Sequence, residues 1–149
     1  MSLPVEFDFA LIKMGDGATP TELFTTICGM QDVTLNETVN TNDRFVRDCA
    51  KPGEVPQRRV QPSGKQTDMT GTGLTNADNI AVVRAALGVS KNYRVEVYKR
   101  DGTDAGELLG TFAGPFVMTS SNLNMSLETP GSAEITLASD GAITYTAAP

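Results

Sequence analysis

The 149-residue sequence contains no histidine and no tryptophan, only two cysteines and three tyrosines, and no apolar run approaching 18 residues. Without histidine, Ser-His-Asp and Cys-His nucleophilic systems and every imidazole-based metal site are excluded. Paired carboxylates remain chemically available, but no spacing gathers two acids into a recognisable acid–base constellation. No enzyme, cofactor or metal is therefore expected. The missing tryptophan and scarce tyrosine leave few aromatic platforms for stacking on sugars. The lack of a long apolar run excludes a membrane-spanning helix. MSLPVEFDFALIKMGDG has no basic residue ahead of its apolar stretch and carries Glu6 and Asp8 inside it, unlike an export signal. A soluble protein that stays where it is made is expected. In a reducing compartment Cys28 and Cys49, which allow at most one disulfide, are expected as free thiols.

What is present is an uneven charge. Twelve basic and eighteen acidic residues give a formal net charge of −6. Six of the twelve bases, Arg44, Arg47, Lys51, Arg58, Arg59 and Lys65, lie in one stretch with only Asp48 and Glu54 as acids. That stretch is about +4, and the other six bases and sixteen acids leave about −10 on the rest. An acidic chain is not a general nucleic-acid binder. Asymmetry of this kind points to an interaction surface. Pro52, Pro56 and Pro62 stiffen the stretch, and Phe45 and Val46 sit among its charges. Stiff segments lose less entropy on docking, and aromatic and arginine side chains are the usual interface anchors. A solvated charged loop is the alternative reading. A basic loop meeting the acidic body of another copy would be a heterologous contact, which builds rings or filaments.

Periodicity places the elements. Val5, Phe7, Phe9 and Leu11 alternate with Glu6, Asp8, Ala10 and Ile12, predicting a strand that buries the odd-numbered face. Leu23–Cys28 and DVTLNETVN from Asp32 read as strands, the latter with one polar side. Residues 40–65 read as a long inter-strand loop, and Lys65–Thr72 as a further strand. Thr75 or Asn76 caps a helix of about 12 residues carrying Ile80, Val83, Ala86 and Leu87, ended by Gly88. Tyr93–Tyr98 is a strand followed by an Asp101-Gly102 turn. LLGTFAGPFVMTSSNLNMSL is strand-like on both sides of Pro115, which predicts an edge or a bulge there. AEITLASDGAITYTA reads as a hairpin turning at Ser139–Gly141. Seven or eight strands and one helix predict a single mainly β domain over 1–149, an antiparallel β-sandwich or open barrel with one flanking α-helix.

Short motifs add little. GKQ at 64–66 lacks the upstream glycine and following Ser/Thr of a phosphate loop. GTGLTN at 71–76 has two glycines of a dinucleotide fingerprint, but Asn76 replaces the third and no βαβ unit follows, so a tight strand-to-helix turn is expected. Asp101, Thr103, Asp104 and Glu107 do not match a calcium loop.

Three stretches together resemble the tail tube (major tail) proteins of long-tailed bacteriophages: DRFVRDCAKPGEVPQRRVQPSGKQTDMTGTGL, NIAVVRAALGVSKNYRVEVYKRDG and GSAEITLASDGAITYTAA. These stretches lie between Asp43 and Ala148, and the resemblance is read over residues 5–147. The resemblance implies a sandwich-like β domain flanked by a helix, with subunits forming hexameric rings that stack into a hollow virion tube assembled in the host bacterial cytoplasm. It implies as partners a tape measure protein in the bore, tail terminator and tail tip proteins, and DNA in transit, with no membrane. Arg44, Phe45, Arg47, Lys51, Arg58, Arg59 and Lys65 would then belong to a ring-stacking loop. Asp68 and Glu134 would face the lumen, where acidic groups let DNA slide. The competing readings are a tail terminator or head–tail connector, and a monomeric β-sandwich binding module.

Overall fold

Alternating apolar and polar residues over most of the chain give strands, and the one stretch with helical spacing gives a helix. The computed structural model describes residues 3–149. The strands are β1 (Phe9–Gly15), β2 (Phe24–Thr26), β3 (Met30–Val46), β4 (Gln57–Leu74), β5 (Ser90–Lys99), β6 (Glu107–Asn124), β7 (Ser132–Ser139) and β8 (Thr144–Ala147), with α1 (Ile80–Ala86) between β4 and β5. All pair antiparallel in the order β2-β1-β5-β6-β7-β4-β3, with β8 beside β6. The mainly β fold with one flanking helix is as the sequence predicts.

β6 is the spine. Its first part carries β5 on one side and β8 on the other, and its last part carries β7. The sheet rolls over so that β1 meets β3 across the core and Ile12 reaches Gly71 of β4. A Cβ on Gly71 would sit 2.7 Å from Ile12 Cδ1, so that glycine gives Ile12 its seat. Ile12, Met69, Tyr93, Phe116, Met118, Ile135 and Leu137 are the largest fully buried side chains of the core. Tyr93 and Phe116 meet edge to face with centroids 6.2 Å apart.

Several expectations need correction. The N-terminal strand begins at Phe9, and its buried residues are Ile12 and Met14, while Val5 and Phe7 are exposed. Both faces of this strand carry apolar residues, so alternation could not say which meets the core; Phe9 instead stacks on Tyr98 outside, at 5.1 Å. The C-terminal "hairpin" is not one. β7 and β8 do not pair with each other; they run consecutively along the same side of β6, joined by a jog at Asp140–Ile143. Pro115 explains the jog. It lies between Ala113, the last β6 residue paired with β8, and Phe116, the first paired with β7, where a missing N–H leaves no ladder bond unmade. Its carbonyl accepts from Asp140 N at 2.9 Å.

The helix is shorter than its pattern. Asn76 caps a 3-10 turn, Ala77–Asn79, by accepting from Asp78 N at 3.0 Å, and α1 proper has seven residues. Gly88 follows with φ +78°, the left-handed conformation that ends the helix. Ala86 is buried, whereas Leu87 is 46% exposed. Residues 40–65 are not a loop: strand pairing continues to Val46 and resumes at Gln57, leaving only ten residues, 47–56, at the tip.

Candidate functional site

Two features of the β3–β4 pair stand out. The first is a projecting arm. β4 pairs with β7 only over Asp68–Leu74, so beyond Thr67 the two strands continue as a ribbon with no further strand beside it among the described residues. From Val39 to Val46 that ribbon extends about 23 Å past the body at the usual rise per residue. The register slips once, between Asn40 and Thr41, leaving Ser63 as the extra residue beside Pro62. A bulge on an edge is where a strand proline is tolerated.

At the tip, Asp48 holds the turn. Its Oδ1 accepts from Ala50 N at 2.9 Å and its carbonyl accepts from Lys51 N at 3.1 Å. Arg47 donates to the Pro52 carbonyl. Lys51 lies 3.9 Å from Glu54, and Arg58 lies 4.0 Å from Asp43. Phe45 pairs in register with Arg58 and is 72% exposed, on the same ribbon face as half-exposed Val60. Arg44 pairs in register with Arg59 on the opposite face. The structure thus brings together Arg44, Phe45, Arg47, Lys51, Arg58 and Arg59. Lys65 stands apart: it pairs with Val39 at the root of the arm, roughly 20 Å from Arg59 along the strand.

The second feature is a polar face. Register places Asp32, Thr72, Glu134 and Asn122 in one row across β3, β4, β7 and β6. The next row is Thr34, Thr70, Thr136 and Ser120, and the one after it holds Asn36, Asp68 and Ala138. Thr38 and Gln66 continue it toward the arm. Asp68 and Glu134 therefore share one face, four residues apart along the sheet, or roughly 13 Å. These rows contain three acids and no lysine or arginine. Side-chain contacts tie the face together: Gln66 donates to Asp68 Oδ2 at 3.3 Å, and Asn36 to Thr38 Oγ1 at 3.5 Å. The sequence showed the polar sides of β3 and β4 separately. It held no sign that β7 and the end of β6 would extend the same face, because that depends on pairing between distant segments.

The face ends on two unpaired edges. Among the described residues, β3 has β4 on one side and no strand on the other. β5 leaves β6 at Val117, Gly88 N donates to the Met118 carbonyl, and Ser120–Asn124 then has β7 on one side only. Among the described residues no group of three or more His, Cys, Asp or Glu is placed to hold a metal ion, and no helix is long and apolar enough to cross a membrane. Cys28 and Cys49 are both free and exposed.

A family model described as phage tail tube protein matches residues 5–145. No curated protein matches the sequence. Among solved structures, the chain is similar to a subunit in the tail of an empty gene transfer agent (GTA) particle refined with C6 symmetry, at 24% identity and TM-score 0.66 over 92% of this chain and 95% of that one. It is also similar to a chain of the PVC sheath–tube complex, an extracellular contractile injection system in its extended state: 17% identity and TM-score 0.65 over 97% and 93%. Against the SPP1 tail tube the values are 12%, 0.63, 97% and 80%. At these identities the likeness is one of fold.

Proposed function

We propose, for a chain that belongs to the phage tail tube protein family, that six subunits close into a ring and that rings stack into the hollow tube of a virion tail. The observation that carries this reading is the polar face ending on two unpaired strand edges. An open edge is a template for another strand, and one protomer's β3 offered to the Ser120–Asn124 edge of the next is a heterologous contact that repeats around a ring. The number six rests on the C6 symmetry of the similar GTA tail. Six four-stranded faces make a closed barrel of about 24 strands, roughly 45 Å between opposite backbones at ordinary strand spacing and tilt. A nucleic-acid duplex fits through such a bore.

The rows bearing Asp68 and Glu134 would line the bore. A lining of hydroxyls, amides and acids without cations offers phosphates no positive charge to hold them, so DNA slides. During assembly in the host bacterial cytoplasm a tape measure protein would occupy the same space, with terminator and tip proteins closing the ends. The β3–β4 arm reaches beyond the body and suits the contact between rings: Arg44, Phe45, Arg47, Lys51, Arg58 and Arg59 form its docking surface, with Lys65 at its base. The role is structural, with no reaction to catalyse.

Negative-stain electron microscopy of the purified protein at high concentration and low salt tests this reading. Hollow tubes or rings whose class averages are six-fold are expected. Closed two-fold dimers, or rings of another order, would overturn it.

A further inference from the structure

The arm's basic side chains are not equivalent. Arg47 is spent on the Pro52 carbonyl, Lys51 lies by Glu54, and Arg58 lies by Asp43. Arg44 and Arg59 differ. They face each other directly across the ribbon, where Cβ atoms stand about 5 Å apart and like charges repel. Neither has a carboxylate within ion-pair distance among the described residues. Their neighbours in register on the same face, Asn42 with Gln61 and Val46 with Gln57, are uncharged. Among the described residues no ion pair therefore neutralises either guanidinium; Asp48 and Glu54 line the same hollow as Arg59 but stand beyond ion-pair distance.

We propose that Arg44 and Arg59 form a clamp for one carboxylate, supplied by a second copy of this chain in the adjoining ring. Guanidinium groups present planar forks of donors that fit a carboxylate's two oxygens, and two of them converging on one anion surround it with charge-assisted hydrogen bonds. The charge balance points to a second copy as the source: outside the basic stretch the chain carries sixteen acids against six bases. Docking removes the repulsion that the free arm carries, so the contact is favoured from both sides. This inference rests on the ring-stacking reading and narrows it to one pair of residues.

The test compares three double variants that each remove two positive charges: R44Q/R59Q at the clamp, K51Q/R58Q at the already paired arm residues, and K99Q/R100Q on the body. Pelleted tube mass and micrographs measure stacking, and thermal unfolding followed by circular dichroism measures the fold. The clamp variant should lose tenfold or more of the tube mass while single rings persist, and its melting temperature should not fall, because a like-charge contact is gone. K51Q/R58Q should lose less than threefold, and K99Q/R100Q should match the wild type. Equal losses in the two arm variants would overturn the clamp and leave the stacking reading standing, since arm charge in general would then suffice. Wild-type assembly by R44Q/R59Q, or a lowered melting temperature accompanying its loss of tubes, would also overturn it. Tubes that still grow after residues 41–62, which carry Arg44, Phe45, Arg58 and Arg59 as well as the tip, are replaced by Asn-Gly would instead sink the stacking reading itself.

Discussion

The two ends of the β3–β4 pair are built from the same two strands in nearly unbroken register, yet they live in different surroundings. At the root, β4 has β7 on its other side, and one face of the pair is core: Met69 is fully buried and Gly71 lies beneath Ile12. At the distal end no third strand pairs with them among the described residues, both faces meet solvent, and Phe45, Val46 and Val60 are exposed. Backbone pairing alone does not make a two-stranded ribbon stable in water; a third strand or a covered face does. The root is held by what the chain itself supplies. The distal end has exposed apolar groups and unpaired strand edges that only another molecule can cover.

Substitutions on β4 test that contrast most severely. A Cβ at Gly73 would fall 1.8 Å from Gly29 O and 2.8 Å from Gln31 N, both backbone atoms that cannot swing aside. Gly73→Ala should cost about 3 kcal/mol or more, or abolish folding. Gly64, nine residues earlier on the same strand, has nothing within 4 Å of a new Cβ. Gly64→Ala should change stability by no more than about 0.5 kcal/mol. Urea denaturation of the two variants measures both, and similar midpoints would erase the distinction.

A second pair asks the same of large side chains. Met69→Ala should cost about 2–5 kcal/mol, because it leaves a cavity in the core. Phe45→Ala should leave stability within about 0.5 kcal/mol of the wild type and weaken assembly instead. A Phe45→Ala protein that unfolds early would mean that the arm packs on its own body.

Alkaline pH offers a smaller effect confined to the body. Burial pushes the Tyr93 hydroxyl up to about 12, and burial with the hydrogen bond to Glu96 does the same for Tyr98. In the unfolded chain both ionise near 10. Between pH 10 and 12 the folded state therefore keeps protons that the unfolded state has lost, and stability falls as pH rises through that window. Tyr93→Phe should roughly halve the slope of urea midpoint against pH. It also removes a buried hydroxyl that has no hydrogen-bond partner, so stability at neutral pH should hold or rise slightly. An unchanged slope would place the titration elsewhere. The arm contains no tyrosine, so its variants should follow the wild-type curve.

The mildest probe is salt. If exposed ion pairs dominate docking, tube mass should decline gradually from low salt to about 0.5 M, because screening shortens the reach of the arm's charges. Insensitivity would shift the weight to Phe45 and its apolar neighbours.

Much of this was legible in the chain. The excess of bases between Arg44 and Lys65, the cap at Thr75 or Asn76, which falls on Asn76, the stop at Gly88 and a break at Pro115, which is a gap between β8 and β7 rather than a bulge, are local chemistry. The buried face of β1 was not legible, because Phe9 and Leu11 on one side compete with Ile12 and Met14 on the other. Nor was the separate placing of β7 and β8 along β6, since the Ser139–Gly141 stretch has the composition of a hairpin turn and only the gap at Pro115 reveals a jog.

By itself the sequence determined a β-rich chain without histidine chemistry, an acidic body and a basic, proline-stiffened segment. Composition and short-range periodicity are properties of neighbours in the chain, and those suffice for such conclusions. Only the tertiary structure decided that this segment is a ribbon with Arg44 opposite Arg59. It alone placed Asp32, Asp68 and Glu134 on one cation-free face with two open edges. Register between strands is set by core packing among residues far apart in sequence, and a shift of one residue would turn every one of those side chains to the other side.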